Sequence, residues 1–150
     1  MNDDVKFESL GEPSLAIAGF QLWVHGYEKP DRTDGTDGEW LLVTAHAASG
    51  EASVWVSGAI VWLPDLKLFG EECDALRQGQ AAVAELPKME PNLSISIRPV
   101  DKLGHFRVTV EITPEHLTQE HRFSFEIDPS QLAAISKACQ AIVRKFPVRG

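Results

Sequence analysis

The fold is decided by three segments: Leu93-Ser94-Ile95-Ser96-Ile97-Arg98, then Phe106-Arg107-Val108-Thr109-Val110-Glu111-Ile112, then Arg122-Phe123-Ser124-Phe125-Glu126-Ile127. Apolar and polar residues alternate in each with a period of two, as in a strand with one buried and one wet face. Parallel strands, covered on both sides, would be apolar throughout, so the three predict an antiparallel sheet. Asp101 to Gly104 and Thr113 to Glu120 read as the turns between them.

A helix follows directly. Asp128 is placed to cap it, Pro129 suits its first position, and Gln131 stands three residues after the cap, as a capping box requires. Leu132, Ile135, Cys139, Ile142 and Phe146 recur at helical spacing, with Lys137, Arg144 and Lys145 towards the C-terminal end of the dipole. Pro147 ends the run.

Upstream, Leu15, Ile17, Phe20, Leu22 and Val24 alternate around Gly19, which marks a bend. Residues 28–39 carry Pro, Gly and Asp in turn-forming combinations and read as a loop. Trp40 to Ala45 is apolar on both parities, predicting a strand covered on both faces, and Ala52, Val54 and Val56 mark another. Pro64 and Asp65 open a second helix, whose stripe Leu66, Phe69, Cys73 and Leu76 ends before Gly79. Trp62, just before it, reads as a core plug. No internal repeat or interdomain linker interrupts the pattern.

The expectation is one α+β domain over residues 1–150: a largely antiparallel sheet of about seven to eight strands, with two amphipathic helices packed on it. Cys73 and Cys139, each in an apolar stripe, read as core thiols. The acidic N-terminus resembles no signal peptide, and no apolar run reaches the ~20 residues of a membrane span. A cytoplasmic protein with no membrane partner is expected.

Candidate chemistry is sparse. Glu115, His116, Glu120 and His121 crowd one turn, but His-x4-His there lacks the helical i, i+4 geometry of a zinc hydrolase, and no metal site is assigned. Asp31, Asp34, Asp37 and Glu39 fit no register of an EF-hand loop. No nucleophile elbow or Gly-rich phosphate loop is present, so no catalytic residue and no cofactor are assigned.

Charge says more. The chain has 14 Lys and Arg against 22 Asp and Glu, a formal charge of −8. The first ninety residues carry −10 and the last sixty +2. Phosphate binding needs clustered cations, so direct nucleic-acid binding is disfavoured, whereas an acidic patch hastens encounter with a basic protein.

Asp37-Gly38-Glu39-Trp40-Leu41, Glu90-Pro91-Asn92-Leu93 and Phe146-Pro147-Val148-Arg149-Gly150, with the order of elements between them, resemble the WapI-type immunity proteins. These are small bacterial proteins associated with polymorphic, contact-dependent toxins. The resemblance spans nearly the whole chain and brings no catalytic residues with it. It implies a non-catalytic protein that neutralises a cognate toxin by binding. The partner-contact candidates are Asp31, Asp34, Asp37, Glu39, Glu71, Glu72 and Asp74, facing a basic toxin domain. Two alternatives stay open: a metal-dependent or other small-molecule enzyme built around His105, His116 and His121, and an oligomeric structural domain with a Trp-rich face.

Overall fold

The computed structural model describes residues 3–32 and 36–149, with the backbone alone at Asp3, Asp4, Thr36 and Asp37. Eight strands form two antiparallel four-stranded sheets. The first is β1 (Leu15–Ile17), β2 (Phe20–Tyr27), β3 (Trp40–Ser49) and β4 (Ala52–Trp62), and the second β5 (Ala84–Leu86), β6 (Leu93–Pro99), β7 (Phe106–Ile112) and β8 (Arg122–Ile127). Both run in simple sequence order, each strand beside the next. A helix follows each sheet, α2 (Leu63–Arg77) and α3 (Pro129–Lys145), and a short α1 (Asp3–Leu10) precedes the first. The chain therefore repeats a four-strand-plus-helix unit in topology that its sequence does not display.

The three alternating segments form β6, β7 and β8. Ile95 faces Val110 and Ile97 faces Val108 across one ladder, while Val108 and Val110 face Phe125 and Phe123 across the next. Their inward side chains are buried, apart from a half-buried Phe125. The capping box of α3 is complete: Gln131 N–H donates to Asp128 Oδ1 at 3.1 Å, and Asp128 N–H to Gln131 Oε1 at 2.9 Å. The stripe of α2 is buried throughout, and with Ile135, Cys139 and Ile142 of α3 it joins the inner faces of both sheets in one core. Removing a ring such as Phe69 from that core should cost about 3–5 kcal/mol.

The helices meet at Gly70. A Cβ there would stand 2.6 Å from Cys139 Cβ, so only glycine permits this approach. Cys73 and Cys139 are both buried free thiols, and burial pushes the Cys139 thiol up to about 12 and raises Cys73 as well. Gly19 has a similar role in the β1–β2 turn, where a Cβ would meet Ala48 O at 2.3 Å.

Two expectations need correction. Strand β3 is not covered on both faces throughout: Leu41, Val43, Ala45 and Ala47 point into the core, but outward Leu42 is 38% exposed. Only part of its outer face is roofed, by α1, which sequence periodicity did not reveal because the helix has no apolar stripe. Trp62 is no core plug; it sits half-buried at the β4–α2 junction, opposite Trp40. No helix among the described residues is long and apolar enough to cross a membrane.

Candidate partner-binding surface

The loop joining β2 to β3 carries the acid-rich stretch. Its base is closed by Glu28 N–H donating to Trp40 O at 2.9 Å, and a turn forms where Arg32 N–H reaches Lys29 O at 3.1 Å. A 3-10 turn, Thr36–Glu39, brings the chain back. The two arms touch where Gly38 meets Arg32: a Cβ on Gly38 would lie 2.7 Å from the Arg32 carbonyl oxygen, so glycine is required.

Both arms are held by a residue more than a hundred positions away. After α3, residues 146–149 run back to the loop. Arg149 donates from Nη1 to Pro30 O at 2.8 Å, and from Nη2 to Lys29 O at 3.0 Å and Gly38 O at 2.6 Å. Its guanidinium lies 3.6 Å from the centroid of the Tyr27 ring, within cation–π range. Tyr27 returns the contact, its hydroxyl donating to Pro147 O at 2.5 Å while its ring meets Phe146 edge-on. Burial raises the Tyr27 pKa, with Arg149 opposing and Glu39 adding to that shift.

Glu39 belongs to this arrangement rather than to the surface. It is 3% exposed, and its Oε1 accepts the Arg149 backbone N–H at 2.8 Å. An isolated carboxylate would not be buried at such cost; the Arg149 N–H donor offsets part of it. The expectation that Glu39 contacts a partner is therefore corrected. Asp31 is exposed on the loop. Asp37 lies in the 3-10 turn, its side chain outside the described residues, as is all of Asp34.

The α2 acids divide. Glu71 is exposed, pairs with Lys67 at 3.0 Å, and shares a shallow depression with Pro64, Lys67, Leu68 and Val148, which places it beside the segment that leads to Arg149. Glu72 turns the other way, its Oε1 accepting the Glu85 N–H of β5 at 3.1 Å. Asp74, near the helix C-terminus, binds Arg77 at 2.6 Å and Gln78 at 3.1 Å. The structure thus brings Glu71 towards the loop and commits Glu72 and Asp74 to local contacts.

The histidines do not converge. His105 precedes β7 and pairs with Asp101 at 2.7 Å, whereas His116 and His121 belong to the loop beyond the far end of that strand, about 20 Å away at the rise of a strand. His121 bonds Gln119 at 3.2 Å. No group of three or more His, Cys, Asp or Glu side chains among the described residues could hold a metal ion. On the outer face of the first sheet, His46 stacks on Trp55 at 4.1 Å and bonds Gln21 and Ser53, each at 2.8 Å. Trp23 stacks on Trp55 at 5.8 Å, and Phe7 of α1 packs against all three rings. Trp23 is 3% exposed, so the part of this face that carries Trp23 and Trp55 is roofed by the chain's own helix. On the second sheet Glu111, its pKa lowered by Lys88 and then Arg122, collects cations that would otherwise be available to a ligand.

Sequence reasoning missed Arg149 and the burial of Glu39. A signal existed: two of the three stretches carrying the family resemblance, Asp37 to Leu41 and Phe146 to Gly150, are the ones that touch here.

A family model described as the immunity protein WapI-like family matches residues 14–147. No curated protein matches the chain. Among solved structures, the chain is similar to the plant transcriptional regulator PBF-2, at 8% identity and TM-score 0.47, covering 87% of this chain and 75% of that one. It is also similar to the Trypanosoma MRP1/MRP2 crystal structures, at 12% identity and TM-score 0.43, covering 95% and 92%.

Proposed function

From the premise that the chain belongs to the WapI-like immunity protein family, we propose that it neutralises a cognate toxin by binding it directly, without catalysis of its own. The immunity role comes with the family. The mode of action and the surface are the further step. The contact we assign is the loop 28–39, through Asp31, Asp34 and Asp37, with Glu71 beside it across the 146–149 segment. The observation that carries this reading is that an acid-rich loop is tied into the body of the protein by Arg149, Tyr27 and Glu39, while Asp31 stays exposed. A loop serving solubility alone would gain nothing from such long-range ties, whereas a binding loop loses less entropy when ordered beforehand.

A negative loop fits a basic toxin domain, and a nuclease domain has to be basic to bind phosphate. Steering of this kind raises association rates about 10- to 1,000-fold and fades as salt rises. The test is Asp31→Lys, Asp34→Lys and Asp37→Lys together, with association to the cognate toxin domain measured at two salt concentrations. Slower association with a flatter or inverted salt dependence is expected. An unchanged rate and slope would sink the proposal.

A further inference from the structure

We propose that Arg149 is a positioning residue for the acidic loop: its guanidinium bridges the two arms, so that the arms meet a partner already held together. This rests on the reading of the loop as the contact surface, and the experiment below keeps the two apart. One arm supplies the carbonyls of Lys29 and Pro30, the other that of Gly38, and all three converge on one guanidinium. A planar fork with donors in fixed directions can satisfy them while its central carbon sits over the Tyr27 ring. A lysine, with a compact ammonium and no plane to stack, could keep the charge but could not hold both arms.

The bridge is reinforced from the backbone side. Arg149 N–H is bound to Glu39, so the residue is gripped at both ends, and Pro147 O is held by Tyr27 from the end of β2. Away from this bridge the loop has a backbone pair at its base, Glu28 with Trp40, and a local turn at Arg32. The acids Asp31, Asp34 and Asp37 lie in sequence between the bridged carbonyls of Pro30 and Gly38, on the span whose ends Arg149 draws together.

Charge and shape make opposite demands here, which gives the proposal a distinctive signature. Arg149 is a cation beside the acids. Removing it makes the loop more negative, so electrostatics alone calls for faster association with a basic partner. Losing the bridge instead frees the loop, and the cost of ordering it appears mainly in dissociation.

The experiment uses the full chain with Arg149→Ala and Arg149→Lys. Hydrogen exchange without any partner is the first readout. Residues 28–39 and 146–149 should exchange about tenfold faster or more, as loss of hydrogen bonds to a charged group implies, while β7 keeps its wild-type rate. The second readout is binding to the same toxin domain. Dissociation should quicken about tenfold in both variants, with association unchanged or faster for the alanine, and lysine should not restore the slow rate. Unchanged exchange in the loop would overturn the inference whatever the binding shows. So would rescue of dissociation by lysine, or a dissociation rate that neither variant alters. If the aspartate reversals slow association while the Arg149 variants leave dissociation alone, the contact surface stands and the positioning role falls. If the reversals change nothing, the contact surface itself is wrong.

Discussion

Two of the polar, acid-bearing loops that connect strands in this molecule are built in opposite ways. The loop 28–39, between β2 and β3, is fastened by Arg149, Pro147 and Glu39 through contacts spanning more than a hundred residues of chain. The loop 113–121, between β7 and β8, is shaped mostly by its near neighbours: Gln119 N–H donates to Glu115 O at 2.9 Å, and His121 reaches Gln119. Its longer tie, Asn92 Nδ2 to Thr113 O at 2.8 Å, sits at its foot, and Leu117 at its tip is 81% exposed. Turn-forming residues build both loops. Only the first is made part of the folded body, so only there does a side chain's position follow from the whole fold.

The largest effect that could break this contrast is Glu39→Ala, which strips a buried acceptor from a charged network and should cost about 2–4 kcal/mol in denaturant unfolding. A loss within ~0.5 kcal/mol, the scale of an ordinary surface change, would show that the loop is not part of the core after all. Gly38→Ala should follow at about 1–3 kcal/mol, because the Arg32 carbonyl is backbone and cannot yield cheaply to a Cβ at 2.7 Å. In the other loop, His116→Ala and Leu117→Ser should each stay within roughly 0.5 kcal/mol. A loss near that of Glu39→Ala would erase the distinction.

The smallest effect belongs to the turn between β6 and β7, which is also held locally. The Asp101 hydrogen bond and charge raise the His105 pKa, and His105 lowers that of Asp101. The stabilisation is fully present below the unfolded histidine value of ~6.5 and is lost as pH rises through the higher folded value. The Asp101 share is present above the unfolded aspartate value of ~3.9 and fades as pH falls through the depressed one. Ring titration by NMR should place His105 above ~6.5, and Asp101→Asn should bring it back down.

This contrast also marks what was legible in the sequence. Strands β6 to β8 announced themselves because alternation is local, and the capping box of α3 because Asp128 and Gln131 are three residues apart. The stripe of α2 was readable for the same reason. Strand β5, with three residues, is too short to leave a period, and α1 docks through Phe7 with no stripe to display. The acids of residues 28–39 were visible as composition, but nothing near Glu39 says that it turns inward towards Arg149. Such a pairing is decided by where two distant segments arrive, and a single sequence carries no periodic trace of it.

The close crossing of α2 and α3 at Gly70 has a practical consequence. Cys73 and Cys139 are the only two cysteines in the chain, and both are sealed at that crossing as protonated thiols. The thiolate is the species that reacts, so neither sulfur offers a nucleophile to an alkylating reagent while the helices stay together. The rate at which the two thiols are labelled therefore reports how readily the helices part, and the protein carries its own probe for the opening of its core.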